Sequence, residues 1–207
     1  MADKIVGSNN EPLKVQFITD VHYYSTKLGT HGKAYDKMES KSQMVIKDSP
    51  LVIKRAFDML CEDTSTDIVL LSGDTTHDGE MQSHEEFIEM LRDLKKRGKR
   101  VYVITATHDF QDNGIAYAYE GDEKVEVPAV GDRHDLWDMY YEFGPNEAIA
   151  VHKESMCYVV QLAPGYRLFA LNDDTNYKPE GERGSGFSDD CMAWIMEQLE
   201  DAKKTSL

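Results

Sequence analysis

Three stretches of the chain have the hydrophobic pattern of β-strands. Residues 13–19, LKVQFIT, alternate apolar and polar side chains, as in a strand with one buried face. Residues 67–73, DIVLLSG, and residues 100–106, RVYVITA, are almost continuously apolar, which is typical of strands buried on both faces. The pattern therefore predicts three strands in the first half of the chain.

Between these strands the hydrophobic pattern takes on the helical period. One helix is predicted after Ser49, which would cap it, with Pro50 at the first helical position. A second helix is predicted from Ser83, because Ser83 and Glu86 have the spacing of a capping box and Gly98 would end the helix. Its apolar face would consist of Phe87, Ile88, Leu91 and Leu94. Alternating strands and helices predict a parallel sheet covered by helices.

The second half has a less regular pattern. Residues 134–144, HDLWDMYYEFG, predict a short helix that ends at Gly144. Residues 156–172 predict two strands joined by a Pro-Gly turn, and therefore a hairpin. Residues 188–204 predict a helix capped by Ser188, with acidic residues at its start and lysines at its end, as the helix dipole favours. Its inward face would consist of Cys191, Trp194, Ile195, Gln198, Leu199 and Ala202.

Two long segments follow strand ends, residues 21–47 and 110–133. Open α/β sheets bind their ligands at the carboxyl ends of the strands, and loops of this length are usually functional or disordered. We therefore expect loops that face a substrate. They are rich in aromatic residues, namely Tyr23, Tyr24, Tyr35, Tyr117 and Tyr119.

Composition and charge exclude several classes of partner. The net charge of −15 argues against binding to a nucleic-acid backbone, which requires clustered lysine and arginine. No apolar run approaches the roughly 20 residues of a membrane span, and residues 1–12 lack the apolar core of a secretory signal. The expected location is the cytoplasm as the chain stands, or outside it if a leader was removed.

The three cysteines, Cys61, Cys157 and Cys191, are far apart in sequence. Neither their odd number nor their spacing fits a disulfide framework or a C-x-x-C metal site. We expect reduced or buried thiols.

Candidate chemistry is concentrated where the three predicted strands end. Asp20 and His22 follow the first strand, Asp74 follows the second, and His108 and Asp109 follow the third. Parallel strands bring their carboxyl ends to one edge of a sheet, so these acids and imidazoles should share a crevice. A divalent metal ion is the natural way to neutralise such a group.

In combination, the motifs FITDVHY, VLLSGDTTHDGE and VYVITATHDF resemble those of the calcineurin-like metallophosphoesterases, in a bacterial branch of that superfamily. The resemblance extends along nearly the whole chain, through YYEFGPNEAI and WIMEQLEDAKK. It implies an α/β fold in which two β-sheets pack together with helices outside, a four-layer α/β/β/α arrangement over residues 1–207 as one domain.

The resemblance also implies roles for individual residues. Asp20 and His22 would bind a first metal ion, and Asp74 would bridge it to a second. His108 would be the catalytic acid near the leaving oxygen or a donor to the phosphoryl group, and Asp109 would orient His108. The metal would be Mn, Fe or Zn, since carboxylate and imidazole ligands suit all three.

This chain departs from the family pattern in two places. Thr107 stands where the resemblance implies an Asn that ligates the second metal, and Ala106 stands where a Gly is implied. Three metal-binding histidines that the family adds downstream have no counterpart in this sequence. The other histidines are interpreted as loop or surface residues, namely His31, His77, His84, His134 and His152, of which His77 lies closest in sequence to Asp74.

We therefore expect a partial ligand set that holds at most one metal ion, in a C-terminally incomplete fold that continues beyond residue 207 in the native protein. Exposed sheet edges would then favour self-association. The predicted function is metal-dependent hydrolysis of a phosphomonoester or phosphodiester, small or macromolecular, by metal-activated hydroxide. The alternative is a degenerate, non-catalytic module with the same fold that binds a ligand or partner.

Overall fold

The computed structural model describes residues 12–42, 44–173 and 186–205. These residues form two compact units: one is Val15–Tyr140, and the other consists of the described residues on either side of it. Helices and strands are mixed along the chain, which confirms the predicted α/β class. The single domain over residues 1–207 stays a prediction.

The first unit is built on a parallel sheet with the strand order β1–β2–β3. These strands are β1 (Gln16–Thr19), β2 (Ile68–Ser72) and β3 (Arg100–Ile104). Thr19 pairs with Ser72, and Ser72 pairs with Ile104. All three strands therefore end at the same edge of the sheet, as the sequence predicted.

Four helices belong to this unit. They are α1 (Lys33–Glu39), α2 (Ser49–Glu62), α3 (Met81–Lys96) and α4 (Arg133–Met139). The predicted apolar face of α3 is buried, and α3 packs against β3 and α2. Gly98 follows α3 with a φ of 92°, a conformation that glycine adopts without strain. The prediction that the helix of residues 134–144 ends at Gly144 is wrong, because α4 ends at Met139.

Two of the three predicted serine caps, Ser49 and Ser83, are wrong by one or more residues. Ser49 is the first residue of α2, and α3 begins at Met81, two residues before Ser83. Both hydroxyls bind the chain after β1 instead: Ser49 Oγ accepts from the Tyr24 N–H and Ser83 Oγ from the Ser25 N–H, each at 3.1 Å. These serines therefore fix the segment that leaves β1.

The two long segments are more ordered than predicted. Residues 110–133 contain an antiparallel hairpin of β4 (Ile115–Glu120) and β5 (Glu123–Pro128), and residues 21–47 contain α1 and a 3₁₀ turn at Thr26–Leu28. Their aromatic residues are largely core rather than solvent-facing. A buried cluster consists of Tyr24, Leu28, Tyr35, Ile46, Ala118 and Tyr119.

The described part of the second unit contains an antiparallel sheet with the order β6–β7–β8 and one α-helix. These elements are β6 (Ala150–His152), β7 (Cys157–Ala163), β8 (Tyr166–Ala170) and α5 (Asp189–Thr205). The hairpin predicted around Gly165 and the helix predicted after Ser188 are confirmed, and Ser188 Oγ accepts from the Cys191 N–H at 3.1 Å. β6 was not predicted.

No helix in the described ranges is both long enough and apolar enough to cross a membrane. The predicted lack of a secretory signal concerns residues 1–12, of which 1–11 lie outside the described residues.

Candidate metal centre

Asp20, His22 and Asp74 come together because backbone pairing continues beyond the ends of β1 and β2. The Asp20 N–H donates to the Gly73 carbonyl at 3.3 Å, and the His22 N–H donates to the Asp74 carbonyl at 2.9 Å. Two loops that would otherwise separate are thereby held side by side. This pairing places the three predicted ligands at one edge of the parallel sheet.

The same three residues have an unusual backbone conformation. Asp20, His22 and Asp74 have φ values of 53°, 44° and 47°, in the left-handed region that favours glycine. Among the described residues, Met156 is the one other non-glycine residue with positive φ. Such conformations cost on the order of 1–3 kcal/mol each and cluster at functional sites. The strain is therefore an indication of function at this sheet edge that does not depend on the residue types.

The side chains of the three residues fit a metal ion. One potential ligand atom from each lies within 4.8 Å of the others. His22 Nε2 is 4.0 Å from Asp20 Oδ1 and 3.8 Å from Asp74 Oδ2, too far for hydrogen bonds. Donor atoms around a shared cation at typical ligand distances are separated by roughly 3–4 Å. Two carboxylates and an imidazole therefore surround a common point without bonding to one another.

The protein does not supply hydrogen bonds to both ring nitrogens of His22. Its Nδ1 atom is buried without a hydrogen-bond partner. Burial lowers the pKa of His22, and the neighbouring His108 lowers it further, while Asp74 and Asp20 act in the opposite direction. The neutral imidazole that burial favours is also the form that binds metals.

His108 lies directly beside this group. Its backbone N–H donates to Asp74 Oδ1 at 3.1 Å, and its ring meets the His22 ring edge to face, with centroids 4.8 Å apart. His108 Nδ1 is 2.8 Å from the His77 carbonyl oxygen. Because a carbonyl only accepts, Nδ1 carries the hydrogen, and this bond sets the orientation of the ring.

The contacts of the Asp109 carboxylate are with the loop after β2 and the end of β3. The Asp109 carboxylate is fully buried and accepts from Thr75 Oγ1 at 2.5 Å, the Thr76 N–H at 2.9 Å and the Ala106 N–H at 2.8 Å. Asp109 therefore ties the loop after β2 to the end of β3. It acts on the position of His108 through the backbone, because its oxygens are taken by these donors.

Thr107 and His77 lie near the same group. The Thr107 side chain is exposed, on the 3₁₀ turn Thr107–Asp109 that also carries His108. Both ring nitrogens of His77 are buried without a hydrogen-bond partner, and burial lowers its pKa. Its ring packs edge on against Tyr24. His77, noted in the sequence for its closeness to Asp74, is thus a half-buried loop residue whose ring nitrogens are shielded from solvent.

The prediction that His84 is a loop or surface residue is wrong. His84 is fully buried in α3, where Nε2 lies 2.8 Å from the Asp109 carbonyl oxygen and Nδ1 lies 2.8 Å from Tyr140 Oη. It supports the turn that carries His108. The helical spacing in the sequence could have predicted this burial, because His84 precedes Phe87 and Ile88 by three and four residues and so lies on the same apolar face.

Comparison with curated proteins gives no match. The sequence profile of the calcineurin-like phosphoesterases matches residues 13–196, most of the chain, including β1, β2 and β3 and the residues that follow them. The chain belongs to the calcineurin-like phosphoesterase family.

Proposed function

We propose that this protein is a metal-dependent phosphoesterase that hydrolyses a phosphomonoester or a phosphodiester. Asp20, His22 and Asp74 hold one divalent cation, Mn, Fe or Zn, and His108 is the catalytic residue that acts on the phosphoryl group. The observation that carries the proposal is the convergence of those three ligand atoms within 4.8 Å at the edge of a parallel sheet. Membership of a family of phosphoesterases supports it.

When bound, the cation would supply positive charge for the phosphate and lower the pKa of a bound water. The two oxygens of the Asp74 carboxylate have different contacts. Its Oδ2 is the atom near His22 Nε2, while its Oδ1 accepts the backbone N–H of His108. Asp74 would therefore hold the ion and also fix the position of His108.

His108 would hold and move a proton at Nε2. Its Nδ1 hydrogen is engaged by the His77 carbonyl, so Nε2 is the atom available to a phosphoryl or leaving oxygen. A protonated Nε2 donates to the leaving oxygen, and a neutral one accepts a proton from a nucleophile. The backbone bond to Asp74 keeps this atom beside the cation ligands.

Metal binding and hydrolysis, measured together, test this function. The purified protein would be loaded with Mn²⁺, Fe²⁺ or Zn²⁺, its bound metal measured after gel filtration, and p-nitrophenyl phosphate and its bis-ester used as substrates. We expect metal binding and hydrolysis in the wild type and loss of both in Asp74→Asn. Asp138→Asn, which changes an exposed acid on α4, is the matched control. A wild type that binds no divalent metal would refute the proposal.

A non-catalytic module that binds a ligand or partner is the second candidate function. Two observations favour it. Thr107 stands where the family resemblance implies an Asn ligand, and the ligand group found among the described residues has three members. Metal binding without hydrolysis of either ester would support this candidate. The high net negative charge still argues against a nucleic-acid backbone as the partner.

A further inference from the structure

A pair of buried thiols lies in the second unit. Cys157 opens β7 and Cys191 lies in the first turn of α5, and both side chains are completely buried. Their Sγ atoms are 3.9 Å apart, and both thiols are free. A disulfide bond needs the sulfurs to approach to about 2 Å, so side-chain rotation at one or both cysteines would have to bring them closer.

A directed chain of hydrogen bonds leads from this pair to solvent. Cys191 Sγ is 3.4 Å from Ser155 Oγ, Ser155 Oγ is 2.8 Å from His152 Nδ1, and His152 Nε2 is 3.0 Å from Asp190 Oδ2. The carboxylate accepts, so His152 Nε2 carries a hydrogen and His152 Nδ1 accepts one from Ser155. Ser155 Oγ in turn accepts from the Cys191 thiol. The last member, Asp190, is 82% exposed.

The order Asp190, His152, Ser155 is also that of a hydrolytic triad, but its surroundings exclude that role. Ser155 is only 2% exposed. Its oxygen accepts from the Cys157 N–H as well as from the Cys191 thiol. A substrate carbonyl therefore cannot reach Ser155. A proton from Cys191 can reach it through the hydrogen bond between the two side chains.

We propose that Cys157 and Cys191 form an oxidisable dithiol that closes to a disulfide bond with a peroxide as oxidant, and that Ser155, His152 and Asp190 conduct the Cys191 proton to solvent. This would be a modification site separate from the proposed phosphoesterase chemistry. It would link the first strand of the hairpin, β7, covalently to α5.

The two cysteines have different parts in the reaction. Burial raises the pKa of Cys157 to about 11, so it keeps its proton until the second step. Cys191 lies in the first turn of α5, and fraying of this helix end would admit a small oxidant. The proton relay also begins at Cys191.

The chemistry balances with one peroxide. The Cys191 thiolate attacks a peroxide oxygen, the O–O bond breaks, and the leaving hydroxide takes up a proton to give water and a sulfenic acid. Cys157 sulfur then attacks Cys191 sulfur, which forms the S–S bond and breaks the S–OH bond. The released hydroxide takes the Cys157 proton and gives a second water. Two thiols thus lose two electrons, which reduce the peroxide.

Peroxide treatment of the folded, full-length protein tests the proposal, in a Cys61→Ser background that removes the third thiol. We expect the intact mass to fall by two hydrogen atoms and non-reducing peptide maps to join Cys157 to Cys191. In Cys157→Ser, a sulfenic-acid probe should label Cys191. A folded protein that keeps both thiols, or a Cys191 that is never labelled, would overturn the proposal.

The relay is tested by the rate of cross-linking. Asp190→Ala and Ser155→Ala should slow disulfide formation at least about tenfold, as loss of proton transfer does. Asp189→Ala removes the same charge from the same helical turn and should leave the rate unchanged. Because Asp190 is exposed, Asp190→Ala keeps the test valid even if Ser155→Ala fails to fold. Equal rates in Asp190→Ala and Asp189→Ala would exclude the relay.

Discussion

His108 Nδ1 lies 2.8 Å from the carbonyl oxygen of His77, so the ring of the proposed catalytic residue is held by the loop that begins at Asp74. The backbone N–H of His108 returns to that loop, since it donates to Asp74 Oδ1. The two bonds attach one residue of the β3 turn to the β2 loop at two points. A ligand that moves Asp74 would therefore also move the Nε2 atom of His108.

The first prediction concerns His108→Ala. Because His108 is not among the three clustered ligands, the variant should keep its bound metal and lose proton transfer, with kcat lower by about 10²–10⁴-fold. The measurement is ester hydrolysis alongside metal content. His134→Ala, which removes an exposed imidazole from α4, should hydrolyse as fast as the wild type. If His108→Ala releases the metal, His108 is a ligand rather than a proton donor.

The strongest parts of the sequence pattern predicted the sheet and the edge at which Asp20, His22 and Asp74 meet. Continuous apolar runs identified β2 and β3, and their parallel arrangement brought Asp20, His22 and Asp74 to one edge. This inference succeeds because a parallel register determines where strand ends meet. The family match over residues 13–196 includes these segments.

The missed features depend on contacts between distant residues or on weak local signals. In the β4–β5 hairpin only residues 124–128 of β5 alternate charged and apolar side chains, which is a short and weak strand signal. Two of the residues that donate to Asp109 are Thr75 and Thr76, which lie more than thirty residues away in sequence. No local pattern identifies such tertiary hydrogen bonds, and the two serine caps failed for the same reason.

The second prediction concerns Asp109→Ala. Removing this buried carboxylate takes the acceptor from the N–H groups of Thr76 and Ala106 and leaves the Thr75 hydroxyl with Tyr140 Oη, at 3.3 Å, as its remaining partner. The free energy of unfolding should fall by about 3–5 kcal/mol, as when one partner of a buried polar network is lost. Urea denaturation with no metal present measures it. Asp138→Ala should change stability by less than about 0.5 kcal/mol, and a similar small change in Asp109→Ala would show that the network is dispensable.

The third prediction concerns Thr107→Asn. The side chain at this position is exposed on the turn next to His108, and an amide oxygen extends further and coordinates better than the threonine hydroxyl. The variant should bind more metal per chain than the wild type and hydrolyse esters faster, as measured by metal content and kcat. Thr105→Asn, two residues earlier, serves as the positional control. If Thr107→Asn changes neither quantity, Thr107 is not a weakened ligand.

The last prediction concerns the pH dependence of stability and rests on Glu80. This carboxyl is 2% exposed, and burial raises its pKa from an ordinary 4.5 to about 7. The folded protein therefore holds this proton more tightly than the unfolded chain does. Its contribution to stability is fully present below about pH 4.5 and is lost as the pH rises through about 7.

Glu80→Gln should remove this dependence, because glutamine stays neutral. At pH 8 the variant should be more stable than the wild type by up to about 3 kcal/mol, and the difference should vanish towards pH 4. The buried histidines His22, His77 and His84 have lowered pKa values and lose stability as the pH falls, but both proteins contain them. The difference in urea-denaturation free energy at each pH therefore isolates Glu80. If the free energy of unfolding depends on pH in the same way in Glu80→Gln and in the exposed control Glu85→Gln, the pKa of Glu80 is not raised in the folded protein.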